Sequence, residues 1–149
     1  MTNKTIKPII QKVVAGGIII NDSKILIIQR AASEEAYPNL WEVPSGKKEP
    51  MEKIGDTVIR EVYEETGLKT KVIKVVDVFN FMVEKTNEIR DVTQINFLLK
   101  MSEESEVKLS TEHQNFAWIT KDELNKYNLS KETKNSIAKA FLIATSKEN

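Results

Sequence analysis

The chain contains no cysteine, which excludes disulfides, thiolate metal sites and a cysteine nucleophile. It has one histidine, His113, so a multi-histidine zinc site is excluded and any Ser-His-Asp triad would have to use that residue. Net charge is lacking too. The 22 basic and 22 acidic side chains cancel, leaving no long-range attraction to nucleic acid or anionic membranes, although a local basic patch is compatible with the total. No apolar run approaches the roughly 20 residues of a membrane span. Met1 to Pro8 is polar and lacks the apolar stretch of a secretory signal. These absences describe a cytoplasmic protein with no DNA or membrane partner. Any metal would be held by carboxylates, which suit hard cations such as magnesium or manganese.

What is present is an ordinary globular balance: 149 residues, 40% hydrophobic and 30% charged. That length fits one domain, residues 1–149, around one core. Two nearly continuous β-branched runs, Gln11 to Ile20 and Lys24 to Gln29, flank Asn21-Asp22-Ser23 and predict a hairpin in a sheet covered on both faces. Ala31 to Leu40 is a polar connection, Trp41 to Pro44 a short extended piece, and Ser45 to Met51 a loop punctuated by Gly46 and Pro50. Ile54, Val58, Ile59 and Val62 recur at helical spacing, predicting a helix from Ile54 to Thr66 stopped by Gly67. Strands follow at Thr70 to Phe81 and Val92 to Met101, separated by a charged turn, Glu84 to Asp91. A strand at Asn115 to Ile119 precedes helices at Lys121 to Tyr127 and Lys131 to Thr145, the last with Ser130 as N-cap. The order is mixed rather than regularly alternating, which favours an α/β fold with a mixed central sheet between helices.

Chemistry concentrates in Gly46 to Leu68. The predicted helix carries Glu61, Glu64 and Glu65, and Glu61 neighbours both others at helical spacing. Crowded carboxylates repel one another, and a divalent cation would reverse that sign. Arg60 neighbours Glu64 and can orient it. Upstream, the Ser45–Gly46 loop can present a backbone carbonyl, because glycine permits close approach. Carboxylates plus a carbonyl make a hard-cation site suited to metal-assisted hydrolysis. Glutamate-rich helix faces are, however, commonly just solvated.

The same segment resembles the Nudix box: Gly, five residues, Glu, seven residues, Arg-Glu, an aliphatic residue, any residue, Glu-Glu, any residue, Gly, an aliphatic residue. Gly46, Glu52, Arg60, Glu61, Val62, Glu64, Glu65, Gly67 and Leu68 fill every specified position. The resemblance implies a Nudix hydrolase with an α/β/α sandwich that cleaves a diphosphate linkage. It makes Glu61, Glu64 and Glu65 magnesium (or manganese) ligands, one of them a general base. Arg60 and Glu52 orient the cluster, and a carbonyl of Ser45 or Gly46 completes it. The family's usual Pro-Gly-Gly stands here as Pro44-Ser45-Gly46. Met51 replaces a frequent glycine and Lys53 a frequent Ser/Thr cap.

The wider run is similar to MutT-type members, which convert nucleoside triphosphates to monophosphate and pyrophosphate; ADP-ribose or another nucleoside diphosphate derivative is the alternative substrate. A non-catalytic binding domain is disfavoured, because such domains lose the box glutamates. Glu112 stands six residues before Trp118, the spacing at which MutT-type enzymes place a further metal-binding glutamate. Its roles would be ligand or base, and its bland reading is a loop glutamate. Arg30, at the end of the second strand, is either a phosphate or base contact or an ordinary exposed arginine. Trp41, Tyr37, Phe79 and Phe81 are candidate stacking surfaces, with core packing as the alternative. His113 is read as structural or surface. Phe79 to Lys85 contains neither the proline nor the tyrosine that marks ADP-ribose and dinucleoside polyphosphate enzymes. The asparagine that reads oxidised guanine would fall near Thr133, with Asn135 two residues away. The family's habit of homodimerisation extends to this chain as an expectation.

Overall fold

The structure is a computed structural model that describes residues 6–146. The stretch Met1 to Thr5, read above as polar and without a signal, lies outside the described residues. β1 (Ile9–Asn21) and β2 (Lys24–Arg30) form the expected hairpin. Its turn residues, Asp22 and Ser23, both have positive φ, 50° and 64°. That backbone twist matches the twist of the flanking strands. β3 (Trp41–Glu42), β4 (Ser45–Lys47), α1 (Ile54–Thr66), β5 (Thr70–Glu84), β6 (Ile89–Met101) and β7 (His113–Ile119) follow, and α2 (Lys131–Thr145) comes last.

The sheet order is β3-β2-β1-β6-β5, with β4 added to β1 and β7 to β2. β1 and β6 run parallel from Ile9↔Ile89 to Ile19↔Leu99, while the other pairings are antiparallel, so the sheet is mixed. β2 stays beside β1 for only two residue pairs, and β4 then takes β1's vacated edge at Val14 to Gly16. The sheet therefore splits, and the split carries the N-terminal end of the Gly46–Leu68 segment into its centre.

Alternate side chains of β1 and β2 serve two cores. Ile18, Ile25 and Ile27 pack with Ile137, Ala140 and Phe141 of α2. Ile19, Leu26 and Ile28 pack with Val58 and Val62 of α1. Both faces are covered, which explains the continuous apolar runs. α1 lies close to β1. A Cβ on Gly17 would stand 2.6 Å from Val62 and 2.8 Å from Leu99.

β1 and β7 each begin two residues earlier than the sequence reading placed them, at Ile9 and His113, and three further differences have a structural cause. Ser45 to Lys47, read as part of a loop, is strand β4, because β2's departure leaves β1 an edge to pair. The turn expected at Glu84 to Asp91 shrinks, since the pairing continues to Glu84↔Ile89. The helix expected at Lys121 to Tyr127 is a 3-10 helix, Lys121–Lys126, tied at its start by a capping box between Thr120 and Glu123.

Candidate active site

α1 gathers the box residues around one arginine. Arg60 donates to Glu52 at 2.8 and 3.0 Å, to Glu61 at 2.8 Å, and to the Lys47 carbonyl at 3.1 Å. Glu64, one helical turn on, lies 3.3 Å away. One planar fork thus ties the helix to the loop before it and to β4. Glu52 also accepts from Thr57 at 2.8 Å and from the Glu49 amide at 3.0 Å. These donors, Arg60 foremost, hold the Glu52 carboxyl down at about 2. Glu52 in turn pushes the Arg60 guanidinium well above its ordinary value.

Gly46 is required by contact. A Cβ there would overlap the Glu61 carboxylate, so the glycine that opens the motif and its helical glutamate Glu61 are one steric unit. Ser45 is drawn to the same place, its amide donating to Glu65 at 3.3 Å. The sequence reading grouped Glu65 with Glu61 and Glu64 as candidate cation ligands, with a solvated helix face as the alternative. Instead Glu65 is only 7% exposed, while Glu64 remains open to solvent.

Burial raises the Glu65 carboxyl to about 9, helped by the negative charges of Glu42, Glu61 and Glu112. Burial likewise raises Glu61; Arg60 opposes that shift, while Glu64 and Glu112 reinforce it. Several carboxylates therefore converge, and Arg60, with Arg30 beside Glu42, neutralises only part of the charge. Among the described residues no three acidic or histidine side chains already stand at metal-ligand spacing. The donor set nonetheless fits a hard divalent cation. It is all oxygen, it carries excess negative charge, and burial holds a proton on one member, Glu65, that a cation would displace.

Glu112 is exposed, yet its charge reaches both Glu61 and Glu65. Its carbonyl accepts from the Ala31 amide at 2.9 Å, which fixes the loop. The next residue, His113, is buried and its Nε2 lies 2.8 Å from the Glu42 carboxylate. A carboxylate accepts only, so Nε2 carries the proton, while Nδ1 is buried with no partner. Arg30 also turns to Glu42, at 3.4 Å, and donates to Glu34 and the Ala36 carbonyl at 3.1 and 2.9 Å. In this conformation its guanidinium braces the Ala31 to Leu40 connection. Sequence reasoning missed Glu42. No local motif marks it; the register Ile28↔Glu42 and Arg30↔His113 brings it to the cluster.

Beside the carboxylates lies a cavity of about 760 Å³, a volume typical of small-molecule sites. Glu42 and Ser45, both in contact with the cluster, line it together with Tyr37, Phe79, Phe81 and Thr133. Trp41 does not line it. Its ring packs edge-on against Tyr127, centroids 4.9 Å apart, against the α2-side core. Asn135 is exposed and outside the cavity wall.

The sequence profile of the NUDIX domain matches residues 11–140. The chain belongs to the NUDIX family. It is similar to nucleoside triphosphatase NudI of Escherichia fergusonii, with 25% identity over 134 residues, covering 86% of this chain and 95% of that one. The human protein named nucleoside diphosphate-linked moiety X motif 6 is 44% identical over 59 residues. That match spans 39% of this chain and 18% of the human protein's length. The crystal structure of a MutT protein from Methanosarcina mazei superposes with a TM-score of 0.75 at 25% identity, covering 97% of this chain and all of that one. No helix among the described residues is long and apolar enough to cross a membrane.

Proposed function

We propose that this Nudix hydrolase acts in the cytoplasm on a nucleoside triphosphate, releasing nucleoside monophosphate and pyrophosphate, with magnesium or manganese as cofactor. The observation that carries this reading is continuity. One cavity is lined both by Phe79 and Phe81, aromatic rings suited to a base, and by Glu42 and Ser45 beside the carboxylate cluster. A nucleotide has the same polarity, with a flat base at one end and a polyanion at the other. Similarity to a nucleoside triphosphatase over most of both chains supports the substrate class.

Glu61, Glu64 and Glu65, with a carbonyl of Ser45 or Gly46 and Glu112 nearby, would hold the cation. When bound, it would neutralise phosphate oxygens and acidify a water molecule. The protein's own residues do the rest. Arg60 and Glu52 hold Glu61 and Glu64 in place before substrate arrives, so little reorganisation remains at the moment of reaction. Enclosure keeps bulk water away from Glu65 itself, while Glu64 and Glu112 stay open to solvent. Proton removal from the attacking water falls to a carboxylate with solvent access, Glu64 or Glu112. Arg30 would have to exchange one of its present partners to touch phosphate, since it now braces the Ala31 to Leu40 connection and reaches Glu42 only at 3.4 Å.

The test is a product analysis across nucleotides with magnesium, manganese or EDTA. Monophosphate and pyrophosphate from a nucleoside triphosphate, abolished by EDTA, is the expected result. Undiminished turnover after exhaustive chelation would overturn the cation site. Efficient cleavage of ADP-ribose with triphosphates untouched would overturn the substrate class.

A further inference from the structure

We propose that Gln94 reads the nucleobase and that Asp77 sets which way its amide faces. This rests on the reading of the cavity as a nucleoside site. Asp77 carries a carboxylate, which only accepts hydrogen bonds. Its Oδ1 takes the Asn96 amide at 3.0 Å and its Oδ2 takes the Ser136 hydroxyl at 2.8 Å. Asn96 is 3% exposed and cannot turn to water. With its Nδ2 fixed on Asp77, its Oδ1 must face the other way. There it accepts from Gln94 Nε2 at 2.9 Å. The orientation of Gln94 is thus inherited from a residue two hydrogen bonds away.

Gln94 lines the cavity, and its Oε1 has no hydrogen-bond partner among the described residues. Its Nε2 keeps a second N–H beyond the one given to Asn96. It therefore offers an acceptor and a donor side by side, the complement of a base edge. Phe79 is its cross-strand partner in the β5–β6 ladder and also lines the cavity. Directly opposed residues share a sheet face, so a ring for stacking stands beside an amide for edge contacts.

The network is costly as mere scaffolding. β6 is otherwise strongly apolar here, with Phe97, Leu98 and Leu99 buried. Polar groups in such a place destabilise unless they are fully bonded. The fold also leaves space for them. A Cβ on Gly16 would overlap Asn96 Oδ1 and lie 2.8 Å from Gln94 Nε2.

The experiment compares kcat/KM for nucleotides that differ only in base, using whichever phosphate chain the wild type cleaves. One discriminating hydrogen bond corresponds to about tenfold between bases. The wild type should show at least that spread. Gln94→Met, which keeps length and loses both polar contacts, should collapse it to about threefold or less. Asp77→Asn can donate as well as accept, which frees both amides to flip. It should narrow the spread with Gln94 intact, and it reads the same ratio if Gln94→Met does not fold. A base ranking unchanged in the folded variants would overturn the role of Gln94 while leaving the nucleotide hydrolase standing. A wild type that cleaves no nucleotide would sink both.

Discussion

At the scale of single residues, Glu65 decides how the metal-free protein responds to pH. Its carboxyl is raised from 4.5 to about 9, chiefly by burial. The folded state keeps a proton there that the unfolded chain releases. The stabilising contribution is full below about 4.5 and is lost as pH rises to about 9. In EDTA the melting temperature should fall across that window, and Glu65→Gln, neutral throughout, should flatten the profile and melt higher than wild type at pH 9. The loss is of the order of a few kcal/mol. The same variant should lose kcat by several orders of magnitude, because charge stabilisation by a bound cation contributes several kcal/mol. A parallel pH profile in both proteins would contradict the buried state of Glu65. Box membership made Glu65 a candidate from sequence, since its partners Glu61 and Glu64 lie within one helical turn. Its burial was not legible. That depends on Ser45 and Glu42, which the strand register delivers from far along the chain.

At the scale of elements, the start of α1 is weaker than it need be. Met51, 98% exposed, is held at φ 67°, and the N-cap residue Lys53 makes no side-chain cap bond. The positive φ explains why a glycine is frequent at Met51: a side chain in the left-handed region costs about 1–2 kcal/mol. Part of that cost is offset when glycine loosens the unfolded chain. A serine cap contributes about 1 kcal/mol. Met51→Gly with Lys53→Ser should therefore stabilise the protein by about 1–2 kcal/mol in chemical denaturation, with kcat close to wild type. No gain would mean that the Arg60 fork, rather than the cap, sets the helix start. Helix and strand identities could be read from periodicity, but β4 could not. Three residues around a glycine have no pattern of their own, and Ser45 to Lys47 become a strand only because β2 peels away from β1.

At the scale of the whole molecule, β5 ends the sheet order and is open to solvent. Val75, Val78, Phe81 and Met82 are 47%, 55%, 41% and 75% exposed. A long apolar edge strand invites pairing with another chain. β5 is irregular at Val72/Lys74 and Val75/Asp77, but its pairing with β6 runs unbroken from Asp77 to Glu84. We expect a homodimer in which that regular half pairs antiparallel with its own copy about a two-fold axis at Asn80. The register sets Val78 opposite the partner's Met82 and places no like charges opposite one another within this stretch. The bulges would end the pairing at one side and the hairpin turn at the other. Sedimentation at micromolar concentration should show a dimer, and Val78→Lys with Met82→Lys should give a folded monomer. KM should rise with it, because Phe79 and Phe81 form a cavity wall from the same strand, and pairing along that edge would restrain the wall. A wild type that sediments as a monomer throughout would remove β5 as an interface and leave its exposed valines without a partner.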